Sequence, residues 1–216
     1  RPYGRTIAAL VAATFTVFLN ETIMINAIPR LMADFHVDAR AAQWLSTAFM
    51  LAMAVVIPVT GWLLQRVRTR ALFLTAMSIF ICGTVLAAAA WSFPVLVAAR
   101  VVQAGGTAIM MPLLMTTLMS IVPADERGKV MGNVTMAISV APALGPTASG
   151  LVLDFMSWRW IFLLVLPFAV VVTAAGLRFL DDVGEPRALP LDWVSVPLAA
   201  VGFGGLVYGL SQLGAG

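Results

Sequence analysis

Glu21 and Arg100 are charged side chains that lie well inside long apolar runs of this 216-residue sequence. A charge at that depth in a bilayer costs about 2.5–3.5 kcal/mol on insertion scales. It is tolerated where the side chain faces a bundle interior or water, finds a partner, or takes up a proton. A polar group that exchanges a proton inside the bilayer is the minimum equipment of proton-coupled transport; the alternative is a structural carboxylate locked in a buried hydrogen bond. Glu21 precedes Pro29, read as the outer end of its segment, by about 12 Å at 1.5 Å per residue, and Arg100 follows Phe93 by about 10 Å. Their matched depths predict an ion pair that would satisfy both charges. The alternative for Arg100 is a clamp on backbone carbonyls. Burial disfavours a charged carboxylate and a neighbouring guanidinium favours it. A movement that alters their separation would therefore hold a proton in one state and release it in another.

Other residues could serve the same chemistry. Arg100, Gln103, Thr107, Met111 and Leu114 recur on one face of a helix. With Phe18, Asn20 and Met24 near Glu21 they could line an apolar cavity with few polar anchors, since methionine adapts to irregular ligands; plain core packing is the other reading. Asp154 is a second candidate proton site, or an interfacial partner of Arg159. His36 reads as a solvated loop residue. No CxxC, HExxH or phosphate-binding GxxxxGK occurs, and one histidine cannot build a histidine metal site. The expectation is a non-enzyme with no cofactor and no metal. Cys82 lies within a span and reads as a small apolar packing residue.

The elements that must position these groups follow from composition. The chain is 61% hydrophobic and 11% charged, where a soluble domain carries about 25% charged residues. Its mean hydropathy is +0.99. Stretches long enough to cross a bilayer run over Thr6–Ile28, Trp44–Leu64, Ala71–Ala90, Phe93–Val122, Val130–Leu153, Trp160–Leu180 and Val194–Leu213. None alternates as a barrel strand does. The fold class is therefore an all-α polytopic membrane protein. Short loops make successive helices the expected antiparallel neighbours.

The net charge of +3 does not point to nucleic acid. Alternate loops place Arg1, Arg5, Arg66, Arg68, Arg70, Arg127, Lys129, Arg178 and Arg187 on one side, against Arg30, Arg40 and Arg159 on the other. The positive-inside rule then puts the N-terminus in the cytoplasm. The polar stretch 181–193 reads as a cytoplasmic linker between a six-helix bundle, 1–180, and a seventh helix, 194–216.

Local motifs resemble the major facilitator superfamily, and within it the fourteen-helix drug:proton antiporters. GWLLQRVRTR (Gly61 to Arg70) is similar to the family's loop pattern G-x-L-a-D-r-x-G-r-k, with Gln65 in place of Asp and Arg68 in place of Gly. LVAARVVQAGGTA (Leu96 to Ala108) resembles l-x-x-x-R-x-x-q-G-x-g, with Ala104 replacing the first glycine. ALGPTASG (Ala143 to Gly150) is close to the antiporter motif G-P-x-x-G-G, with Ser149 replacing one glycine. LNETIMINAIP, QWLSTAF, PADERGKVMG, SWRWIF and LDWVSVPL are smaller echoes, the last two typical of the fourteen-helix branch. Independently of the family, Ala137, Ala141, Gly145 and Ser149 form a smooth face that lets another helix approach closely. Pro142 and Pro146 each remove a helix hydrogen bond. Tight packing or a hinge between bundle halves would use such a helix equally well.

The resemblance implies a six-helix N-terminal bundle of the major facilitator fold plus a seventh transmembrane helix, with the C-terminal bundle absent from this sequence. It implies proton-coupled multidrug efflux by alternating access across the cytoplasmic membrane. Glu21, Arg100 and Asp154 would handle protons; Gly61, Gln65, Arg66, Arg70, Ala141, Gly145, Pro146 and Gly150 would gate. The implied partners are the lipid bilayer, protons, hydrophobic small molecules (cationic ones among them) and the complementary bundle. The family usually places its acid at the position of Asn20, so here it is moved one residue, about 100° around the helix. Gln65 also deprives the loop of a carboxylate facing Arg66, Arg68 and Arg70. Alternatives of other kinds are an exporter of one lipid, siderophore or metabolite, and a non-transporting receptor or assembly subunit.

Overall fold

The structure, a computed structural model, describes residues 3–183 and 195–213. Its helices are α1 (Gly4–Phe35), α2 (Ala39–Arg66), α3 (Thr69–Ala88), α4 (Phe93–Ile121), α5 (Arg127–Phe155), α6 (Arg159–Phe179) and α7 (Ser195–Leu213). Among the described residues, six helices, α1 to α6, are long and apolar enough to cross a membrane. The seventh has 19 residues, about 28 Å at 1.5 Å per residue, with a shorter apolar core over Pro197–Leu210. Arg1, Arg187 and most of the expected 181–193 linker lie outside the described residues; its first part, Asp181 to Val183, is in place.

The helix ends follow local chemistry, with one departure. α1 does not stop at Pro29 but continues to Phe35. Leu31 is fully buried, and the Phe35 ring packs 6.1 Å from Phe93 and 5.4 Å from Trp158. That packing offsets the hydrogen bond which proline removes. The helix ends at His36, in the left-handed conformation at φ 54°, with Val37 N–H on Met32 O at 3.1 Å. Asp38 then caps α2, its Oδ1 accepting from Ala41 N at 2.7 Å.

Sequence order predicts only some of the packing partners, and three of the pairs meet at glycines. The main contacts are α3 with α4, α2 with α4, α1 with α5, α3 with α6, α2 with α7 and α1 with α6. The successive pairs α1–α2, α2–α3 and α5–α6 touch little, contrary to the neighbour rule inferred from short loops. A Cβ on Gly106 of α4 would collide with Ala76 O and lie 2.8 Å from Phe80 N on α3. On Gly83 of α3 it would lie 2.6 Å from Gln103 N. On Gly145 it would strike Thr22 of α1, and on Gly176 of α6 the Phe73 ring of α3. At these four glycines the helices approach more closely than a side chain would allow, and in lipid such close packing is a main source of helix association. α1 and α4 become the central helices, each with 56% of its apolar window buried, against 17% for α2. Cys82 faces outward on α3, so the expected packing role does not hold for it.

The basic loops gather at one end of the bundle. There Tyr3 donates to Glu126, Thr6 Oγ1 donates to Phe179 O at 3.3 Å, and the Arg5 guanidinium lies over the Phe179 ring. Gly106→Ala should cost about 1–3 kcal/mol by overpacking, lowering the melting temperature of the purified protein. Gly61→Ala, whose Cβ would meet nothing within 4 Å, should leave it unchanged or raise it. Equal melting temperatures would show that α3 and α4 are not in close contact at Gly106.

Candidate functional site

Glu21 and Arg100 meet, as their matched depths predict. Arg100 Nη2 donates to Glu21 Oε2 at 2.6 Å. The Arg100 side chain is 1% exposed and that of Glu21 25%, so the guanidinium is sealed while the carboxylate borders the open face of α1, beside exposed Ile25. Nη1 donates to Gln103 Oε1 at 3.0 Å, and Gln103 Nε2 donates to Thr84 Oγ1 at 3.0 Å. Thr84 Oγ1 in turn donates to Phe80 O at 2.7 Å. The Phe49 ring of α2 lies 4.1 Å from the guanidinium carbon. Four helices thus contribute: α1 the acid, α4 the base and its amide neighbour, α2 the ring, α3 the hydroxyl. This arrangement holds a charge pair inside the bundle, with its base sealed and its acid partly open.

Asn20, where the resembling family carries its acid, points instead into the core. It is 1% exposed, and neither amide atom has a partner among the described residues; the same is true of Arg100 Nε. Glu21 thus lies toward the open side of α1, while the neutral amide of Asn20 lies inside.

The other expected cavity residues do not gather round one opening. Met24 and Gln103 are buried in the bundle, Phe18 and Thr107 are half-buried, and Met111 is 37% exposed. Gln103 is committed to Arg100, and Thr107 Oγ1 donates to Gln103 O at 3.0 Å. Shallow apolar recesses border α2 instead. One of about 390 Å³ sits between Met50, Met53, Ile57 and Pro58 of α2 and Phe203 and Val207 of α7. Another of about 450 Å³ is lined by Trp44, Leu51, Val55, Val56 and Val101. A single helix face could not reveal these, because each is made by two helices whose pairing is set by tertiary packing.

Asp154 does not pair with Arg159, the interfacial partner expected for it. Arg159 Nη2 donates to Ala90 O at 2.9 Å and stacks on Trp158. Asp154 borders a recess of about 410 Å³ with Arg30 and Asp34. It stands nine residues beyond Gly145, which faces Thr22, or about 13 Å along the helix. It is not part of the Glu21–Arg100 cluster.

The expected gating residues divide into two groups. On α5, Ala141, Gly145 and Ser149 are buried against α1, where Asn26 Nδ2 donates to Ser149 Oγ at 2.8 Å and Thr22 Oγ1 to Ala141 O at 3.4 Å. Pro146 and Gly150 lie off that seam, Pro146 exposed and Gly150 in open space. At the basic end, Gln65 Nε2 donates to Gly61 O, at 3.3 Å, and is exposed. Arg66 lies over the Trp62 ring at 5.2 Å.

The negative charge that Gln65 lacks is brought by a residue of the expected linker. Asp182 Oδ1 accepts from Arg70 N at 3.1 Å, and Asp182 Oδ2 lies 3.9 Å from Arg68 Nη1. Arg70 Nη2 donates to Leu177 O, and Thr69 Oγ1 donates to Val183 O at 3.3 Å. A carboxylate on the first free N–H groups of α3 also complements the helix dipole. The signal in the sequence is Asp181–Asp182 following an apolar span at the same end as the basic loop.

The profile of the Major Facilitator Superfamily matches residues 10–213. The chain is 46% identical over 216 residues to an uncharacterized MFS-type transporter, YcnB, of Bacillus subtilis, covering 99% of this chain and 46% of that protein. It is 41% identical over 208 residues to the lincomycin resistance protein LmrB of the same organism, covering 96% of this chain and 43% of that one. Among solved structures, the human organic anion transporter MFSD10 superposes with a TM-score of 0.77 at 16% identity, over 92% of this chain and 55% of that one. A POT family transporter superposes with a TM-score of 0.75 at 15% identity, over 97% of this chain and 46% of its own. The chain belongs to the Major Facilitator Superfamily and has its fold. It spans about half the length of the curated relatives it matches.

Two outcomes follow. Asn26→Cys combined with Ser149→Cys should crosslink readily, and adding Gly145→Leu should reduce that crosslinking severalfold by forcing α1 from α5; undiminished crosslinking would show a seam loose enough to absorb the bulk. Asp182→Asn should raise labelling of a cysteine placed in the 66–70 loop about twofold, since exposed charge pairs are weak singly. Gln65→Asp should change it less, because Asp182 already faces these arginines. A larger response at position 65 would mean that the loop is not held by Asp182.

Proposed function

We propose that the protein exports hydrophobic small molecules, cationic ones among them, in exchange for protons by alternating access across the cell membrane. The observation that carries this reading is the Glu21–Arg100 contact of 2.6 Å with a sealed base and a partly open acid. A buried ion pair is weak evidence of stability, because desolvating two charges offsets most of their attraction. Its presence in an apolar bundle fits a working role better than a structural one. Intramembrane ionisable residues that pair with one another mark proton and substrate paths. The lincomycin resistance name of one relative supports drug-like cargo.

The transporting unit would set this bundle against a second one around a midplane site. The end rich in Arg5, Arg66, Arg68, Arg70, Arg127, Lys129 and Arg178 would face the cytoplasm under the positive-inside rule. The α1–α5 seam, with Gly145 against Thr22, would carry the rocking motion between halves. In that motion, a change in the water reaching Glu21 would load or unload its proton.

The test is Glu21→Gln in the full-length protein, assayed in everted vesicles with lincomycin and ethidium as cargo. The introduced amide can still accept from Arg100 through its oxygen, so the protein should insert and fold. Drug-driven proton movement should fall to background, a loss of at least about a hundredfold, as expected when the proton-exchanging group itself is removed. Wild-type proton movement in a folded variant would place the coupling acid elsewhere.

A further inference from the structure

Arg100 has more supports than its ion pair requires, and none of the others is charged. Its flat face lies 4.1 Å from the centroid of the Phe49 ring, itself only 3% exposed. Its Nη1 is held by Gln103, which is held by Thr84. Among the helices packed on α4, only α1 brings a charge to this depth. α2 has none between Arg40 and Arg66, and α3 none after Arg70. Arg5, Arg30 and Asp34 of α1, Arg127, Lys129 and Asp154 of α5, and Arg159 and Arg178 of α6 all stand toward helix ends.

We propose that Phe49 and Thr84 are positioning residues of the proton-coupling site: Thr84, through Gln103, aims the guanidinium at Glu21, and Phe49 steadies the cation while Glu21 holds the proton. The proposal rests on the antiport reading and adds two residues and their division of labour to it.

The hydrogen-bond inventory forces the first half. A threonine hydroxyl has one proton to give, and that of Thr84 goes to Phe80 O at 2.7 Å. Its oxygen can therefore only accept from Gln103. The amide must then turn Nε2 to Thr84 and Oε1 to Arg100, the one orientation that offers the guanidinium an acceptor. Nη1 is thereby fixed, and the rigid fork of the guanidinium leaves Nη2 pointing at Glu21.

Charge balance supplies the second half. Arginine stays protonated in proteins, so when Glu21 is neutral the cation remains buried without a counter-ion. The negative face of an aromatic ring attracts a cation, more strongly once desolvated. That attraction does not depend on the protonation of Glu21. The ring thus stabilises the guanidinium in both states, and holds it in place while Glu21 is neutral and offers no counter-charge. Because Phe49 sits on α2 and Thr84 on α3, a shift of either helix against α4 re-aims the guanidinium.

The test uses the full-length protein in everted vesicles, with ethidium as cargo and a pH-sensitive dye reading proton movement. Phe49→Leu and Thr84→Val keep apolar volume but remove the π face and the hydroxyl. Each should lower the maximal rate of ethidium-driven proton exchange about five- to tenfold, with the KM for ethidium unchanged. Phe49→Tyr and Thr84→Ser should recover at least about half of it. A packing role alone predicts the opposite order, with Leu and Val tolerated best. Should either variant fail to fold, Phe49→Met and Thr84→Ala are read in its place. If the folded variants exchange protons at the wild-type rate while Glu21→Gln does not, positioning by Phe49 and Thr84 is overturned and antiport stands. If Glu21→Gln itself exchanges protons normally, the antiport reading falls, and this proposal with it.

Discussion

A guanidinium that cannot lose its proton, sealed inside an apolar bundle, is the constraint that the other features answer to. Arg100 is fully buried, and an uncompensated charge there would cost several kcal/mol even after relaxation. Compensation arrives from four helices at once: a carboxylate from α1, an amide from α4, a ring from α2 and, through the amide, a hydroxyl from α3. These contacts require α1, α2 and α3 all to lie against α4. The glycines make that possible. Gly83 and Gly106 bring α3 and α4 together, and without that approach Thr84 could not reach Gln103.

The same packing explains why the carboxylate stays partly open. α1 is held from the far side by α5, where Thr22 and Asn26 meet Gly145 and Ser149. Glu21 is thus pinned between a tight seam and the open face of its own helix. One member of the pair is sealed, and the other is partly open. A fully exposed pair would be screened and weak; this one is neither fully exposed nor fully sealed.

Much of this is legible in the sequence, and the limits have physical causes. Helix positions and the Glu21–Arg100 pairing follow from apolar length and the rise per residue, which are local quantities. The end of α1 is misplaced from sequence because Pro29 is a local stop signal, overridden by Leu31 and Phe35 packing against distant residues. Helix partners are misassigned because short loops fix direction but not contact; close approach at Gly106 and Gly176 decides that. Helical periodicity puts Gln103, Thr107 and Met111 on one face, yet it identifies a face without saying whether that face meets water or another helix. Asp182 escapes notice because its role is set by the return of α6 to the start of α3, more than a hundred residues earlier in the chain.

The order of the helices has a consequence for how the protein is made. Glu21 and Arg100 are separated by 79 positions, and at synthesis rates of about 5–20 residues per second the acid precedes its base by roughly 4–16 s. The α5 seam that holds α1 follows later still. During that interval α1 is a single polar-flawed segment with no hairpin partner to shield it, because α1 and α2 scarcely touch in the finished bundle. Nascent α1 must therefore wait at the insertion machinery, or sit unaccompanied in lipid, until α4 emerges. The charge pair at the centre of the bundle is thus one that biosynthesis must leave incomplete while two intervening helices, α2 and α3, are made.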